Sequence, residues 1–330
     1  NFKCKKYYML QNLLLFVISL ILGTTLIYLT KKLFYKIKLL DNPKKYWHKR
    51  DPIPHSVWII LFVLFFILSV IFVPFSQKLM LLRIFGFIIS LMSFVDDFFF
   101  LSPKLRLIIQ LIVWFIIWLT SIKIGYVQNI FWWIINLDAM HFTIFWRDIY
   151  LISTIFTMIW YVFIFNALNW TDWITWNTAW VSIISYLVLG LLWVKLYLSD
   201  DLTALKSNSV FIIQICTILV WILIPFWFWN VREKFLMGDS WTMFLWFMLA
   251  SLSIISGGKI ATVLVVFWIY TVDAFYVVIK RILRKQSPLK WDLTHLHHRL
   301  IDAWFTRIQT LVYIYTFSLI FWISSLFVGK

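Results

Sequence analysis

Long apolar runs without charged residues recur along the whole chain. Several are long enough to cross the hydrocarbon core of a bilayer, which takes roughly 20 helical residues. Hydrophobic residues make up 63% of the chain and charged residues 13%, whereas soluble domains are about 45–50% apolar and about 25% charged. The sequence therefore predicts an all-α integral membrane protein, a polytopic bundle of about ten transmembrane helices in one domain, 1–330. The predicted spans are 9–30, 56–74, 79–95, 107–122, 149–165, 178–195, 210–228, 240–255, 260–279 and 309–328.

The segments that connect these spans fall into two alternating sets that differ in basic charge. One set holds 19 of the 30 Lys and Arg residues and comprises 31–55, 96–106, 166–177, 229–239 and 280–308. Because Lys and Arg concentrate in cytoplasmic loops and beside anionic lipid, this set is predicted to face the cytoplasm. The same rule explains the net charge of +16, so we expect no nucleic-acid partner. In the other set, 123–147 is predicted to be an extended or hairpin segment at the outer interface.

Carboxylates stand out at the ends of two predicted spans on the cytoplasmic side. Asp96 and Asp97 end an apolar run, and adjacent carboxylates repel each other unless a cation neutralises them. Asp239 follows Gly238 at the head of another span. Acidic residues within membrane segments are costly and usually functional, although a solvated helix end for the pair and a helix N-cap for Asp239 are the alternatives.

Two further polar groups lie in the same cytoplasmic set. Asn166, Asn169 and Asp172 have the i, i+3, i+6 spacing that can line one face of a helix end. The sequence HLHH at 295–298 lacks the Cys or HExxH pattern of a zinc site, and the basic residues around it favour contact with phosphate oxygens. Mg²⁺ prefers one or two carboxylates plus phosphate oxygens, and phosphoryl transfer needs chiefly positioning and charge neutralisation. The residues thus predict magnesium-dependent phosphoryl chemistry at the inner membrane face.

Five segments of the chain, in order, resemble motifs of the polyprenyl-phosphate N-acetylhexosamine-1-phosphate transferase family, from about residue 40 to 310. They are DNPKKYWHKRDPIP, FVDDFFFLSPKLRLIIQ, NALNWTDW, FLMGDSWTMFLWF and HLHHRL. The first and last favour the undecaprenyl-phosphate N-acetylglucosaminyl 1-phosphate transferase branch, with the phospho-MurNAc-pentapeptide transferase branch as the alternative. An inactive homologue and a transporter remain as other classes. A transporter predicts acids at mid-span, and Asp273 is the nearest example here.

The resemblance implies transfer of N-acetylhexosamine 1-phosphate from a UDP-sugar to undecaprenyl phosphate, with release of UMP, for synthesis of cell-wall or envelope polysaccharide. It also implies the bacterial plasma membrane, an active site in the cytoplasmic loops and Mg²⁺ (alternatively Mn²⁺) as cofactor, and it allows a homodimer. The catalytic residues that it implies are Asp96, Asp97, Asp172 and Asp239, with Asp239 and Asn169 at the metal. The implied substrate-binding residues are Lys104, Arg106, Asn166, Asn169, His295, His297, His298 and Arg299.

Tryptophan stands at six positions where the family has glycine, namely Trp58, Trp173, Trp176, Trp180, Trp241 and Trp246. The chain has 8 Gly and 22 Trp, although about 7% glycine is usual. Glycine suits tight turns beside a diphosphate because it adopts positive φ and lets the backbone approach closely. We hypothesise that many of these tryptophans are glycines in the living protein, since some bacteria read UGA as glycine where another translation table reads tryptophan.

The gene's own codons test this hypothesis. We expect UGA at most of the six positions, whereas Trp160, inside an apolar span, is expected to be a genuine tryptophan. Sequencing the gene gives the answer directly. UGG at most of the six positions would remove the miscoding hypothesis and favour an inactive homologue.

Overall fold

The described part of the computed structural model is mostly helical. It comprises residues 2–41, 51–55, 58–99, 101–102, 104–105, 107–108, 111, 122–128, 134–144, 147–169, 177–198, 206–256, 260–287 and 295–328. The helices are α1 (Phe2–Lys36), α2 (Trp58–Phe72), α3 (Gln77–Phe99), α4 (Leu151–Asn169), α5 (Asn177–Leu198), α6 (Lys206–Asn230), α7 (Asp239–Ile255), α8 (Ile260–Val266), α9 (Trp268–Leu283), α10 (Leu296–Asp302) and α11 (Arg307–Val328). The strands are β1 (Tyr126–Gln128), β2 (Ile134–Asn136), β3 (His141–Ile144) and β4 (Arg147–Tyr150).

Most predicted spans coincide with a helix. The predicted span 260–279 instead corresponds to two helices, α8 and α9, which are separated at Phe267. The backbone hydrogen bonds continue through this point, because Phe267 donates to the carbonyl of Val263 (3.0 Å) and accepts from the amide of Thr271 (2.7 Å). The break is therefore a one-residue irregularity in a single helical path. The predicted span 107–122 lies mostly outside the described residues.

Four helices within the described residues are long and apolar enough to cross a membrane. They are Leu10–Lys36, Gln77–Asp96, Asn177–Leu198 and Asn208–Asn230. Shorter apolar helices occupy Ile59–Phe72, Leu151–Phe165, Ser240–Ile255 and Ile308–Ser324. Large apolar side chains are exposed along these helices, as Leu13 and Ile21 are on α1, which suits contact with lipid. The total of ten spans and the side on which each loop lies stay predictions.

The chain divides into two compact units. The first comprises 1–100 and 178–252, and the second comprises 101–177 and 253–330. In the first unit, α1 packs on α6, where the ring of Phe16 lies 4.0 Å from that of Trp221. Gly86 on α3 faces Phe244 on α7, and a Cβ at Gly86 would lie only 2.8 Å from that ring. Glycine at position 86 therefore allows α3 and α7 to approach closely.

The second unit combines helices with two β-hairpins. β1 pairs with β2 and β3 with β4, both antiparallel, so the prediction of a hairpin segment over 123–147 is confirmed and its position at the outer interface stays a prediction. The segment just before β1 is held on α4 through Ile124, whose amide donates to Thr157 Oγ1 (2.9 Å) and whose carbonyl accepts from Ser153 Oγ (2.8 Å). On the helical side, Trp322 of α11 donates to the carbonyl of Val266 at the end of α8 (2.8 Å).

Candidate functional site: acids and histidines at helix ends

Asp96 lies close to the C-terminal end of α3 and is 7% exposed. Asp97 follows it in the same helix, and its side chain is outside the described part. A carboxylate enclosed in an apolar helix is costly and marks a functional position by default. The structure therefore does not support the alternative interpretation of Asp96 as part of a solvated helix end.

The turn before α7 places Asp239 at the first residue of that helix. Gly238 has φ 77, a backbone conformation that glycine adopts without strain. The preceding turn is held by Asn230, whose Nδ2 donates to the carbonyl of the fully buried Phe235 (2.8 Å). The Asp239 side chain is outside the described part, so its role stays a prediction.

The ends of the first predicted cytoplasmic loop contact the same turn. The Asp41 side chain accepts a hydrogen bond from the amide of Ile53 (2.8 Å), and the backbone of the two residues pairs as well (3.0 Å). The carbonyl of Pro54 then accepts from the amide of Leu236 (3.0 Å). The DNPKKYWHKRDPIP and FLMGDSW segments are thus neighbours, and Asp41, to which the sequence analysis gave no role, closes the base of the loop.

Helix directions place Asp96 and Asp239 at the same end of the first unit. α2 and α3 are antiparallel, because Ser69 contacts Arg83 (3.0 Å) while Phe62, nearer the start of α2, contacts Phe87 (ring centroids 5.5 Å). Pro54, just before α2, contacts Leu236, just before α7. Further along both helices, Phe62 and Phe65 of α2 contact Phe244 of α7, so the two helices run parallel. The end of α3 and the start of α7 are therefore at one end, as the sorting of acids onto one membrane side predicts.

In the second unit, the polar window 166–177 joins α4 to the start of α5. Asn166 and Asn169 belong to the last turn of α4, although their side chains are outside the described part, as is all of Asp172. Asn177, at the other end of the window, is 3% exposed and its Oδ1 accepts a hydrogen bond from Tyr270 Oη of α9 (3.0 Å). The end of the window is thereby fixed against α9.

The same helix α9 holds the histidine segment through Asp273. The Asp273 carboxylate contacts His295 Nδ1 (2.9 Å) and accepts from the amide of Leu296 (2.8 Å) and from Arg299 Nη2 (3.1 Å). In the sequence, Asp273 stands out only as an acid near mid-span. The structure makes it the partner of the histidine segment.

His297 is neutral in this arrangement. Burial lowers the pKa of His297 to about 3, with the neighbouring His298 and His295 acting in the same direction and Asp273 opposing them. The His297 ring lies 4.2 Å from that of His298, and its Nε2 is buried without a hydrogen-bond partner. His297 can therefore offer a substrate a hydrogen bond but no positive charge. The fixed positive charge near this ring is that of Arg299.

The remaining predicted residues are less informative. Lys104 is exposed, and Arg106 lies outside the described residues. Within the described part, no group of three or more His, Cys, Asp or Glu side chains is placed to hold a metal ion. The predicted metal residues Asp239 and Asn169 both have side chains beyond that part, so their role stays a prediction.

Comparison with known proteins decides the family. Residues 79–257, more than half of the chain, match the model of glycosyl transferase family 4. The chain belongs to glycosyl transferase family 4.

Alignments with two named relatives extend over nearly the whole chain. It is 25% identical over 328 residues to the probable undecaprenyl-phosphate N-acetylglucosaminyl 1-phosphate transferase of Bacillus subtilis (strain 168), covering 96% of this chain and 85% of the relative. It is 26% identical over 311 residues to the undecaprenyl-phosphate alpha-N-acetylglucosaminyl 1-phosphate transferase of Salmonella typhi, covering 90% and 79%. The predicted family and its N-acetylglucosaminyl branch are confirmed.

Two buried tryptophans differ in how their indole N–H groups are satisfied. Trp241, two residues after Asp239, is fully buried, stacks on Phe244 (4.6 Å) and has Nε1 without a hydrogen-bond partner. Trp160 is 4% exposed and donates to Ser253 Oγ (3.2 Å). An unsatisfied buried N–H costs about 1–3 kcal/mol. Trp241 therefore lacks the partner that stabilises Trp160. Trp193 and Trp227, which are not among the six positions, share the unsatisfied N–H.

A stability comparison tests this distinction. Trp160→Gly should destabilise the protein by about 3–5 kcal/mol, the usual cost of emptying a large buried aromatic site. Trp241→Gly should show no such loss if the native residue is glycine, because the fold did not evolve around that indole. Unfolding of both variants in detergent measures the difference. Equal losses for the two variants would show that Trp241 is a native core residue.

Proposed function

We propose that this chain transfers N-acetylglucosamine 1-phosphate from its UDP-sugar to undecaprenyl phosphate at the cytoplasmic face of the bacterial plasma membrane. An oxygen of the lipid phosphate attacks the β-phosphorus of the UDP-sugar, the bond from that phosphorus to the α-phosphate oxygen breaks, and UMP leaves. The product is undecaprenyl-diphospho-N-acetylglucosamine. The observation that supports this most is that a relative named for this activity aligns with 96% of the chain.

In the first unit, the acids at the ends of α3 and α7 act on the lipid phosphate and on the metal. Asp96 and Asp97 orient or deprotonate the attacking phosphate, which is the head group of the lipid and lies at the membrane surface. The enclosure of Asp96 near the helix end supports this role, because a carboxylate with little access to water interacts more strongly with a nearby proton or charge. A site at that depth needs no path across the bilayer.

Asp239 is the residue that we assign to Mg²⁺. The donor chemistry fits, because Asp96, Asp97 and Asp239 are carboxylates at one end of the first unit, and Mg²⁺ favours hard oxygen ligands. When bound, the ion supplies positive charge that neutralises diphosphate oxygens. Gly238, just before Asp239, has a positive φ, and a glycine there lets a diphosphate approach the backbone closely.

In the second unit, the histidine segment and the polar window act on the UDP-sugar. Arg299 provides fixed positive charge for diphosphate oxygens, and its side chain is 40% exposed, so a ligand can reach it. The neutral His297 provides a hydrogen bond, since its Nε2 lacks a partner. Asn166, Asn169 and Asp172, at the end of α4 and just beyond it, bind the nucleotide part.

A vesicle assay tests both the reaction and its side. In sealed vesicles with the cytoplasmic face outward, added UDP-N-acetylglucosamine and Mg²⁺ should yield lipid-linked sugar and free UMP without an ion gradient. The chain should be used in its glycine form, with glycine at the six positions named above, if the codons are UGA. Product formation from UDP-MurNAc-pentapeptide alone would favour the other branch. Gradient-dependent uptake of intact sugar nucleotide without UMP would overturn the enzyme in favour of a transporter.

Replacing the proposed metal residue gives a second prediction. Asp239→Asn should abolish transfer while leaving the helices folded, because loss of a metal-neutralised site typically costs several kcal/mol of transition-state stabilisation. UMP release measures the activity, and circular dichroism measures the fold. Asp302→Asn is the control, since Asp302 is an exposed acid at the end of α10. Activity of Asp239→Asn within tenfold of the parent, about 1.4 kcal/mol, would contradict the role.

A further inference from the structure

Asp273 connects two helices that are separated in sequence. It lies on α9 and is 11% exposed, and its three contacts all reach residues 22–26 positions later, at the start of α10. The first amides of a helix have no partner within the helix, and Oδ1 of Asp273 satisfies that of Leu296. His295 makes no side-chain cap to α10, because its ring is directed to Asp273 instead.

The carboxylate also determines which nitrogen of His295 has a proton. Oδ1 of Asp273 already accepts from a backbone amide and from a guanidinium, which identifies the carboxylate as an acceptor. Oδ2 then accepts from Nδ1–H of His295 (2.9 Å). In the neutral ring this leaves the lone pair on Nε2, on the opposite side of the imidazole. The partner on one nitrogen thus fixes the chemistry of the other.

Arg299 is held by the same face of α9. Its Nη2 donates to Asp273 Oδ1 (3.1 Å), and its Cζ lies 4.4 Å from the ring centre of Tyr276, one helical turn further along. An ion pair with Asp273 reduces the net charge of this cluster, so attraction of phosphate by charge alone would favour a different residue at 273. The arrangement makes sense if the direction of the guanidinium matters more than its charge.

We propose that Asp273 is a positioning residue. It presents Nε2 of His295 as a hydrogen-bond acceptor to a donor group of the sugar nucleotide, and it holds Arg299 in one orientation toward the diphosphate. The inference rests on the proposed function and adds to it a residue that contacts no substrate. Asp273 acts through two side chains at once. Its loss should therefore reduce turnover while most of the fold persists.

The first test is Asp273→Asn with UMP release as readout. The amide keeps an oxygen that can accept from Leu296 and Arg299, but its NH₂ group facing Nδ1 forces the proton of His295 onto Nε2. In the serine-protease triad the equivalent exchange lowers kcat about 10⁴-fold. We expect a fall in kcat of at least about 10²-fold, a smaller change in KM, and an unfolding temperature near that of the parent. As a control, Asp302→Asn at the end of α10 should retain full activity.

A double-mutant cycle separates positioning from independent action. If Asp273 acts through His295, the fall in kcat of the double variant should be much smaller than the product of the falls caused by Asp273→Asn and by His295→Ala. Losses that multiply fully would overturn the proposal, and so would an Asp273→Asn variant within tenfold of the parent. If Asp273→Asn fails to fold, the next measurement decides.

Nitrogen NMR of the histidine rings provides a readout that does not depend on the reaction. In the parent chain, His295, assigned by its loss in His295→Ala, should have its proton on Nδ1. A proton confined to Nε2 in the parent would overturn the proposal. If the parent releases no UMP from any UDP-N-acetylhexosamine, the proposed function fails, whereas this measurement still establishes whether Asp273 fixes His295.

Discussion

Polar groups are costly in hydrocarbon unless partners satisfy them, and this constraint explains both the helices and the position of the candidate site. Because a helix satisfies its own backbone, long apolar runs become helices, and the side chains that need water or phosphate gather where helices end. Asp96 and Asp239 show the outcome, since one lies near the end of α3 and the other begins α7. Asp273 lies on α9 away from its ends, and there the chain surrounds its carboxylate with three donors.

Hydropathy predicts most of the helices, because a long apolar run in a membrane satisfies its backbone by forming a helix. It does not predict the irregularity at Phe267, where apolar residues continue without interruption. The motif segments predict which acids and histidines matter. The contact of Pro54 with Leu236, and that of Asp273 with His295, join residues far apart in sequence. Such contacts depend on how helices pack, and neither spacing nor residue type reveals them.

The electrostatics of the histidine segment illustrate the same limit. Three histidines and an arginine in a basic loop suggest a positively charged phosphate clamp. Burial instead keeps His297 neutral, and Asp273 offsets the charge of Arg299. The segment is therefore better suited to direct hydrogen bonds toward a diphosphate than to attract it over distance. We assign Mg²⁺ to Asp239 rather than to the histidines because carboxylate oxygens are the ligands that this ion favours.

In the proposed reaction the chain moves a sugar together with its attached phosphate. UDP-N-acetylglucosamine labelled with radioactive phosphorus in the β-phosphate, incubated with undecaprenyl phosphate and Mg²⁺, tests this most directly. The label should move into the lipid phase while unlabelled UMP remains in water. Transfer of the sugar alone would leave the label in the aqueous phase as UDP, and that result would contradict the account.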